Sequence, residues 1–264
     1  MKIIDLSKII EYRSDDPFFM KIKVKNKSHK SARWLIRFLG FPFKMPLGLP
    51  FKLFPKNFVG WADDNIQKMG VHATTHIDAP WHYSPTCEGK PSKTIDQIPL
   101  EWCFAEGIVI DMKHKKDFEP ITSLDIKAFL EKEKLSIKAG MIVLIKTGRD
   151  ELYGNGTLDF YTKGTGMSGE ATKWLIDKGI KIMGIDQWGW DLPLTYQTKK
   201  AIETNRSDIF WEAHLVGQNH EYCHIEQLTN LDALPFSGFK VAVFPLKLKG
   251  ASASPARVVA MLED

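Results

Sequence analysis

Three short apolar runs constrain this chain more than any other feature: Gly107-Ile-Val-Ile-Asp111-Met112, Met141-Ile-Val-Leu-Ile145-Lys146, and the stretch from Ile180 to Ile185. Each is too short for a core helix and too uniformly apolar for a half-exposed strand, so each predicts a buried strand. Helical spacing fills the gaps. Ile126, Phe129 and Leu130 recur at i, i+3, i+4 behind Ser123, which predicts a helix with Ser123 as its N-cap. Ala171, Trp174 and Leu175 mark a second helix, which Gly179 stops. Val241-Ala-Val-Phe-Pro245 supplies a fourth strand. Strands alternating with helices predict an α/β domain with at least partly parallel pairing.

No Gly-, Ser- or Pro-rich linker divides the 264 residues, so residues 1–264 read as one domain. Residues 1–12 alternate apolar pairs with polar residues, as an edge strand does. Residues 13–30 read as a loop, or as a short hairpin through Phe18 to Val24. From Trp34 to Phe58, aromatics and leucines are interleaved with Pro42, Pro46, Pro50 and Pro55, which forbid one continuous helix. That segment reads as a loop packed on the core or on a subunit partner. A lid over an apolar pocket and a membrane-surface contact are the alternatives.

A net charge of +4 with scattered lysines argues against nucleic acid as a partner. No apolar stretch reaches the roughly 18 residues of a membrane span. Cys87, Cys103 and Cys223 form no CxxC pair, which points to a reducing, cytoplasmic setting.

The eight histidines are unevenly spread: His72, His76 and His82 lie together with Asp78 among them, and His214, His220 and His224 lie together ahead of Glu226. In the first group Thr74, Thr75, Ile77 and Pro80 disfavour a helix. An extended segment followed by a turn is expected, with His76 and Asp78 on one side of the strand. Imidazoles and a carboxylate without thiolate suit a borderline divalent ion, with Zn²⁺ and Mn²⁺ both open. HExxH is absent, which removes the helix-borne zinc protease. The second group is weaker alone, because His214 and Glu226 are too far apart for a local ligand pair. His220 and His224 rank below them. GxSxG is missing, and Cys223 beside His224 would point to the opposite strand face, so nucleophilic catalysis is a poor competitor.

The run His72-Ala-Thr-Thr-His76-Ile-Asp78-Ala-Pro80-Trp-His82 resembles the HxGTHxDxPxH signature of the cyclase superfamily of metal-dependent hydrolases, which includes kynurenine formamidases (arylformamidases) and isatin hydrolases. Further blocks resemble that family along the chain: Ile4-Asp5-Leu6-Ser7, Val143 to Gly148, Gly184-Ile-Asp186 with Trp190-Asp191, His214, Glu226 with the residues to Pro235, and Ser254-Pro-Ala-Arg257. The resemblance implies a single-domain cyclase-like (swivelling β/β/α) fold, a mixed sheet flanked by helices, and a homodimer or homotetramer. It implies His72, His76, Asp78 and Glu226 as metal ligands. His82 and His214 are then either ligands of a second metal or neighbours of the reactive water. Thr74 departs from the signature by standing where the family has glycine. Trp188 and Trp190 depart by standing where small polar residues are common.

The chemistry expected is metal-assisted hydrolysis of an amide, lactam or ester carbonyl in a small molecule, aromatic or not, since a divalent ion brings the pKa of water from about 15.7 towards about 7. His82 is the expected general base, with His214 second. A metal-dependent lyase or cyclase is the alternative within the same chemistry, and a non-catalytic metal-binding protein the alternative outside it. Asp186 reads as a buried structural carboxylate or as a group orienting a ligand histidine. Trp81, Trp188 and Trp190 read as pocket walls or as core.

Overall fold

The computed structural model describes residues 1–31 and 56–263. The expectation for Trp34–Phe58 therefore lies, except at its last three residues, outside the described part. The chain forms two compact units, Met1–Ile10 with Val71–Asp264, and Glu11–Gly70.

In the larger unit a nine-stranded mixed sheet is built from β1 (Lys2–Asp5), β2 (His76–Asp78), β3 (Phe104–Asp111), β4 (Ile142–Lys146), β5 (Ile182–Ile185), β6 (Cys223–Glu226), β7 (Phe239–Ala242), β8 (Ala253–Pro255) and β9 (Val259–Leu262). Their spatial order is β1-β9-β7-β3-β4-β5-β6-β2-β8. The central run β3-β4-β5-β6 is parallel, and antiparallel strands close both flanks. The three apolar runs of the sequence are three of those four central strands. The edge strand expected near the N-terminus is β1, paired only with β9.

Alternation along the strands splits the core in two. Val109, Leu144, Ile182 and Ile225 enter one cluster with Leu6 and Ile77. Ile108, Val143, Ile145 and Met183 enter the other, against Ile126 and Leu175 of the helices. With both faces covered, Ile142 to Ile145 are fully buried, and each such side chain contributes roughly 1.5–3 kcal/mol relative to exposure.

Helix α1 is Pro80–Tyr83, α2 is Ser123–Lys132, α3 is Gly169–Asp177, α4 is Leu194–Thr204 and α5 is Glu212–Leu215. The expected cap moves by one residue. Thr122, not Ser123, caps α2, because Asp125 returns a carboxylate to the Thr122 N–H at 2.7 Å and completes a reciprocal box. Gly179 follows α3 with φ +84°, the left-handed turn expected of it. Strand β3 starts earlier than expected because Phe104 and Ala105 find partners in Ala242 and Val241. It passes under Phe239 only because residue 107 is glycine: a Cβ there would lie 2.2 Å from the ring. Among the described residues no helix is long and apolar enough to cross a membrane.

In the smaller unit, Lys23–Lys27 pairs antiparallel with Asp63–Lys68. This corrects the hairpin expected through Phe18 to Val24: the partner strand is remote in sequence. Across the pair, Lys27 Nζ lies 2.6 Å from Asp63 Oδ2.

Candidate metal centre

Strands β2 and β6 pair so that His76 faces Glu226 and Asp78 faces His224, with Ile77 opposite Ile225 between them. Because side chains alternate, the isoleucines enter the core and the four polar residues share the other face. His224 Nε2 lies 3.2 Å from Asp78 Oδ2 and 3.3 Å from Glu226 Oε1. His76 Nε2 lies 3.3 Å from Asp78 Oδ1 and 3.7 Å from Glu226 Oε2. These four residues form a floor.

Above it, the loop before β2 and the one-turn helix α1 deliver a rim. His72 Nδ1 is 2.8 Å from Asp78 Oδ1, and His82 Nε2 is 3.7 Å from Asp78 Oδ2. Pro80 at the start of α1 fixes the turn that swings His82 back over Asp78. His214 arrives from α5, its Nε2 3.8 Å from Glu226 Oε1. Ligand atoms of Asp78, His214, His224 and Glu226 lie within 4.8 Å of one another, as do those of His72, Asp78 and His82. The two groups share Asp78. His220 belongs to neither.

Supporting groups fix each ring. The Thr74 carbonyl accepts from His76 Nδ1 at 2.8 Å, which leaves Nε2 free to face the carboxylates. The Tyr83 hydroxyl lies 3.0 Å from His224 Nδ1, and the Tyr83 and Trp190 rings both stack on His224. His72 Nε2 lies 2.9 Å from Ser252 Oγ. Asp191 contacts His214 Nδ1 and accepts the backbone N–H groups of Ala213 and His214 at 2.8 and 3.1 Å. The orienting carboxylate is therefore Asp191. Asp186 instead accepts from Thr147 N and Gly148 N at 2.8 Å each, which is the structural reading.

The electrostatics of floor and rim oppose each other. Burial alone would lower the basicity of His224, but contact with Asp78 and Glu226 outweighs it and lifts the imidazole to about 9. His76 is raised in the same way, its burial overcome by the Asp78 charge. Asp78 is held well below the usual carboxylate range: burial would raise it, and the charges of His76 and His72 prevail. Rim residue His82 moves the other way, to about 4, because burial dominates the pull of Asp78.

The fit to a cation rests on orphaned atoms. His76 Nε2, His224 Nε2 and both Asp78 carboxylate oxygens are buried with no hydrogen bond of acceptable geometry. Such atoms are costly unless something pairs with them. Asp78 and Glu226 also repel each other. A divalent ion would satisfy the nitrogens and oxygens together, and a set of imidazoles and carboxylates suits Zn²⁺ or Mn²⁺. The nearest thiol in sequence, Cys223, turns into the core, where burial keeps it protonated.

All six residues singled out by sequence, His72, His76, Asp78, His82, His214 and Glu226, are brought together. His224, placed below His214 and Glu226 on sequence alone, joins the same group as they do. The signal for it was its spacing of two from Glu226, which puts both on one strand face. The tryptophans divide. Trp190 is fully buried and serves as packing under His224, Trp188 meets Tyr161 edge-on, and Trp81 is 42% exposed.

Residues 4–192 match the family described as "Putative cyclase". An isatin hydrolase of Roseibium aggregatum is 28% identical over 213 residues, which span 78% of this chain and 76% of that protein. The structure of isatin hydrolase A from Labrenzia aggregata bound to benzyl benzoate superposes with a TM-score of 0.71 at 24% identity, covering 100% of this chain and 94% of that one. A structure described as a potential metal-dependent hydrolase with cyclase activity gives 0.62 at 23% identity, covering 100% and 98%.

Proposed function

The chain belongs to the cyclase family, and from that premise we propose that it is a metal-dependent hydrolase of amide or lactam C–N bonds in small planar molecules. The observation that carries the reading is the set of buried atoms without hydrogen-bond partners on Asp78, His76 and His224, gathered about the Asp78 and Glu226 carboxylates. His72, His76, Asp78 and Glu226 would hold the ion, with His214 and His224 within reach of the same carboxylates. When bound, a divalent ion supplies Lewis acidity, polarising a carbonyl and making hydroxide accessible at neutral pH.

The chain's own residues do the rest. His82, with a basicity near 4, is neutral at neutral pH and can receive a proton at Nε2 from water in the site. Asp78 stands 3.7 Å from that nitrogen and stabilises the imidazolium that forms. His214, fixed by Asp191, is the second group able to hold a proton. Trp81 and Phe210, each about 40% exposed, offer apolar surface for a flat substrate. The relative that hydrolyses isatin, a planar lactam, supports this class. The reading includes a cytoplasmic setting, supported by three unpaired cysteines, and self-association as a homodimer or homotetramer, measurable by sedimentation.

Protein purified without chelator should carry Mn²⁺ or Zn²⁺ by elemental analysis. It should consume a member of a panel of N-formylkynurenine, isatin, carbamates and lactams, and ¹⁸O from labelled water should enter the product acid. Turnover without label would favour a lyase. His76→Ala should lose both ion and turnover; activity surviving in that variant overturns the assignment.

A further inference from the structure

Trp211 joins no ligand group, yet it is the most constrained residue at the mouth of the site. Its backbone sits at φ +61° and ψ +31°, a left-handed conformation that bulky residues rarely adopt. Three successive anchors hold the chain there. The Trp211 N–H donates to Gln197 Oε1 at 2.5 Å, and the N–H groups of Ala213 and His214 donate to Asp191. Gln197 is itself 2% exposed and donates back to the Leu192 carbonyl, so α4 presents a fixed acceptor rather than a mobile one. Strain maintained by that many contacts, beside a reactive site, indicates that the position of the side chain matters.

The indole lies parallel on the His214 ring, with centroids 4.4 Å apart and planes 7° from coincidence. It also meets His82 edge-on at 5.3 Å. His214 and His82 themselves are 5.6 Å apart, at 68°. One indole therefore touches a ring from each of the two sequence clusters. Asp191 fixes His214 through Nδ1 and the indole covers a face of that ring. A ring held on an edge and a face cannot tilt.

We propose that Trp211 is a positioning residue that locks His214 and His82 in their working orientation, and that Gln197 is the clamp that sets it. This rests on the hydrolase reading above. Trp211→Gly tests it, removing the indole while relieving the backbone strain, because glycine adopts the left-handed conformation freely. Mn²⁺ titration of the metal-free protein and steady-state kinetics are measured together. The expected result is a metal-free Trp211→Gly that still unfolds cooperatively, with Mn²⁺ affinity weakened and kcat lowered by about 10- to 100-fold, the range for groups that support ligands. KM should change less than kcat. Trp211→Phe, which keeps a stacking ring, should recover most of both, and Gln197→Ala should show a smaller loss of the same kind.

Mn²⁺ affinity and kcat within twofold of wild type in Trp211→Gly would overturn the proposal. So would a loss confined to KM, since that makes the indole a substrate wall only. Were glycine to prevent folding, a kcat loss in folded Gln197→Ala beside a near-wild-type Trp211→Phe would support the proposal, and wild-type behaviour in Gln197→Ala would end it. Wild-type protein that binds no Mn²⁺ would sink the hydrolase reading instead, so the two failures are distinguishable.

Discussion

The floor and the rim of the site use the same side-chain types, but different structure holds them. His76, Asp78, His224 and Glu226 come from two strands in antiparallel register, and their side chains are at most 9% exposed. His72 and His82 come from a loop and a one-turn helix, with side chains 32% and 22% exposed. Strand pairing fixes the floor through backbone hydrogen bonds that no side-chain substitution removes. The rim depends on a turn at Pro80 and on contacts to Asp78 and Ser252. A rigid, anionic floor suits holding a cation. A more exposed, weakly basic rim suits passing a proton to and from water.

The largest effects should follow from damaging the floor. Asp78→Asn removes the carboxylate that both ligand groups share, and should abolish metal loading and turnover together. Chelation of the wild type should lower its stability by about 4 kcal/mol when the free ion had stood at a thousandfold excess over Kd. Elemental analysis and chemical denaturation check both. An Asp78→Asn protein that kept its ion would erase the distinction between floor and rim.

Rim damage should separate turnover from binding. His82→Ala should lower kcat by about 10²- to 10⁴-fold, as for loss of a general base, with metal content unchanged. If that variant lost its ion as readily as His76→Ala, His82 would belong with the ligands.

The same division predicts a pH profile for the chelated protein. His224, raised to about 9 above its ordinary 6.5, contributes stability that is complete below about 6.5 and lost as pH rises towards 9. His82, lowered to about 4, acts in reverse: the unfolded chain binds the proton that the folded chain refuses, so stability falls as pH drops from about 6.5 towards 4. Together they place a maximum near pH 6.5. Urea melts across this range should show His224→Asn flattening the alkaline limb and His82→Ala the acid one. Flattening of the same limb by both would contradict the opposed electrostatics.

Sequence made the central sheet legible because its strands are buried on both faces and leave unbroken apolar runs. The remote partner of Lys23–Lys27 left no such trace, since pairing over that distance has no local period. The first histidine cluster was legible because its ligands fall on one short strand and turn. His224 left a weaker trace, because its one local signal is the spacing of two from Glu226 along a single strand. Trp211 and the role of Asp191, a residue visible only as part of a family-like block, were illegible for another reason. Their roles depend on α5 returning across the end of β5, and sequence distance says nothing of that.

The smallest expected effect concerns Thr74, where the family signature has glycine. The structure places Thr74 at φ +55°, so the conformation that glycine would take is kept although the residue is not. The reason lies two residues on: the Thr74 carbonyl must face His76 Nδ1, and the left-handed turn aims it there. A β-branched residue in that region costs about 1–2 kcal/mol, while glycine costs roughly 0.5–1 kcal/mol through its freer unfolded chain. Thr74→Gly should therefore stabilise the fold by about 0.5–1 kcal/mol, with metal affinity and turnover little changed. A stabilised variant that bound its ion poorly would show instead that the threonine side chain, 6% exposed, supports the floor directly rather than through its backbone.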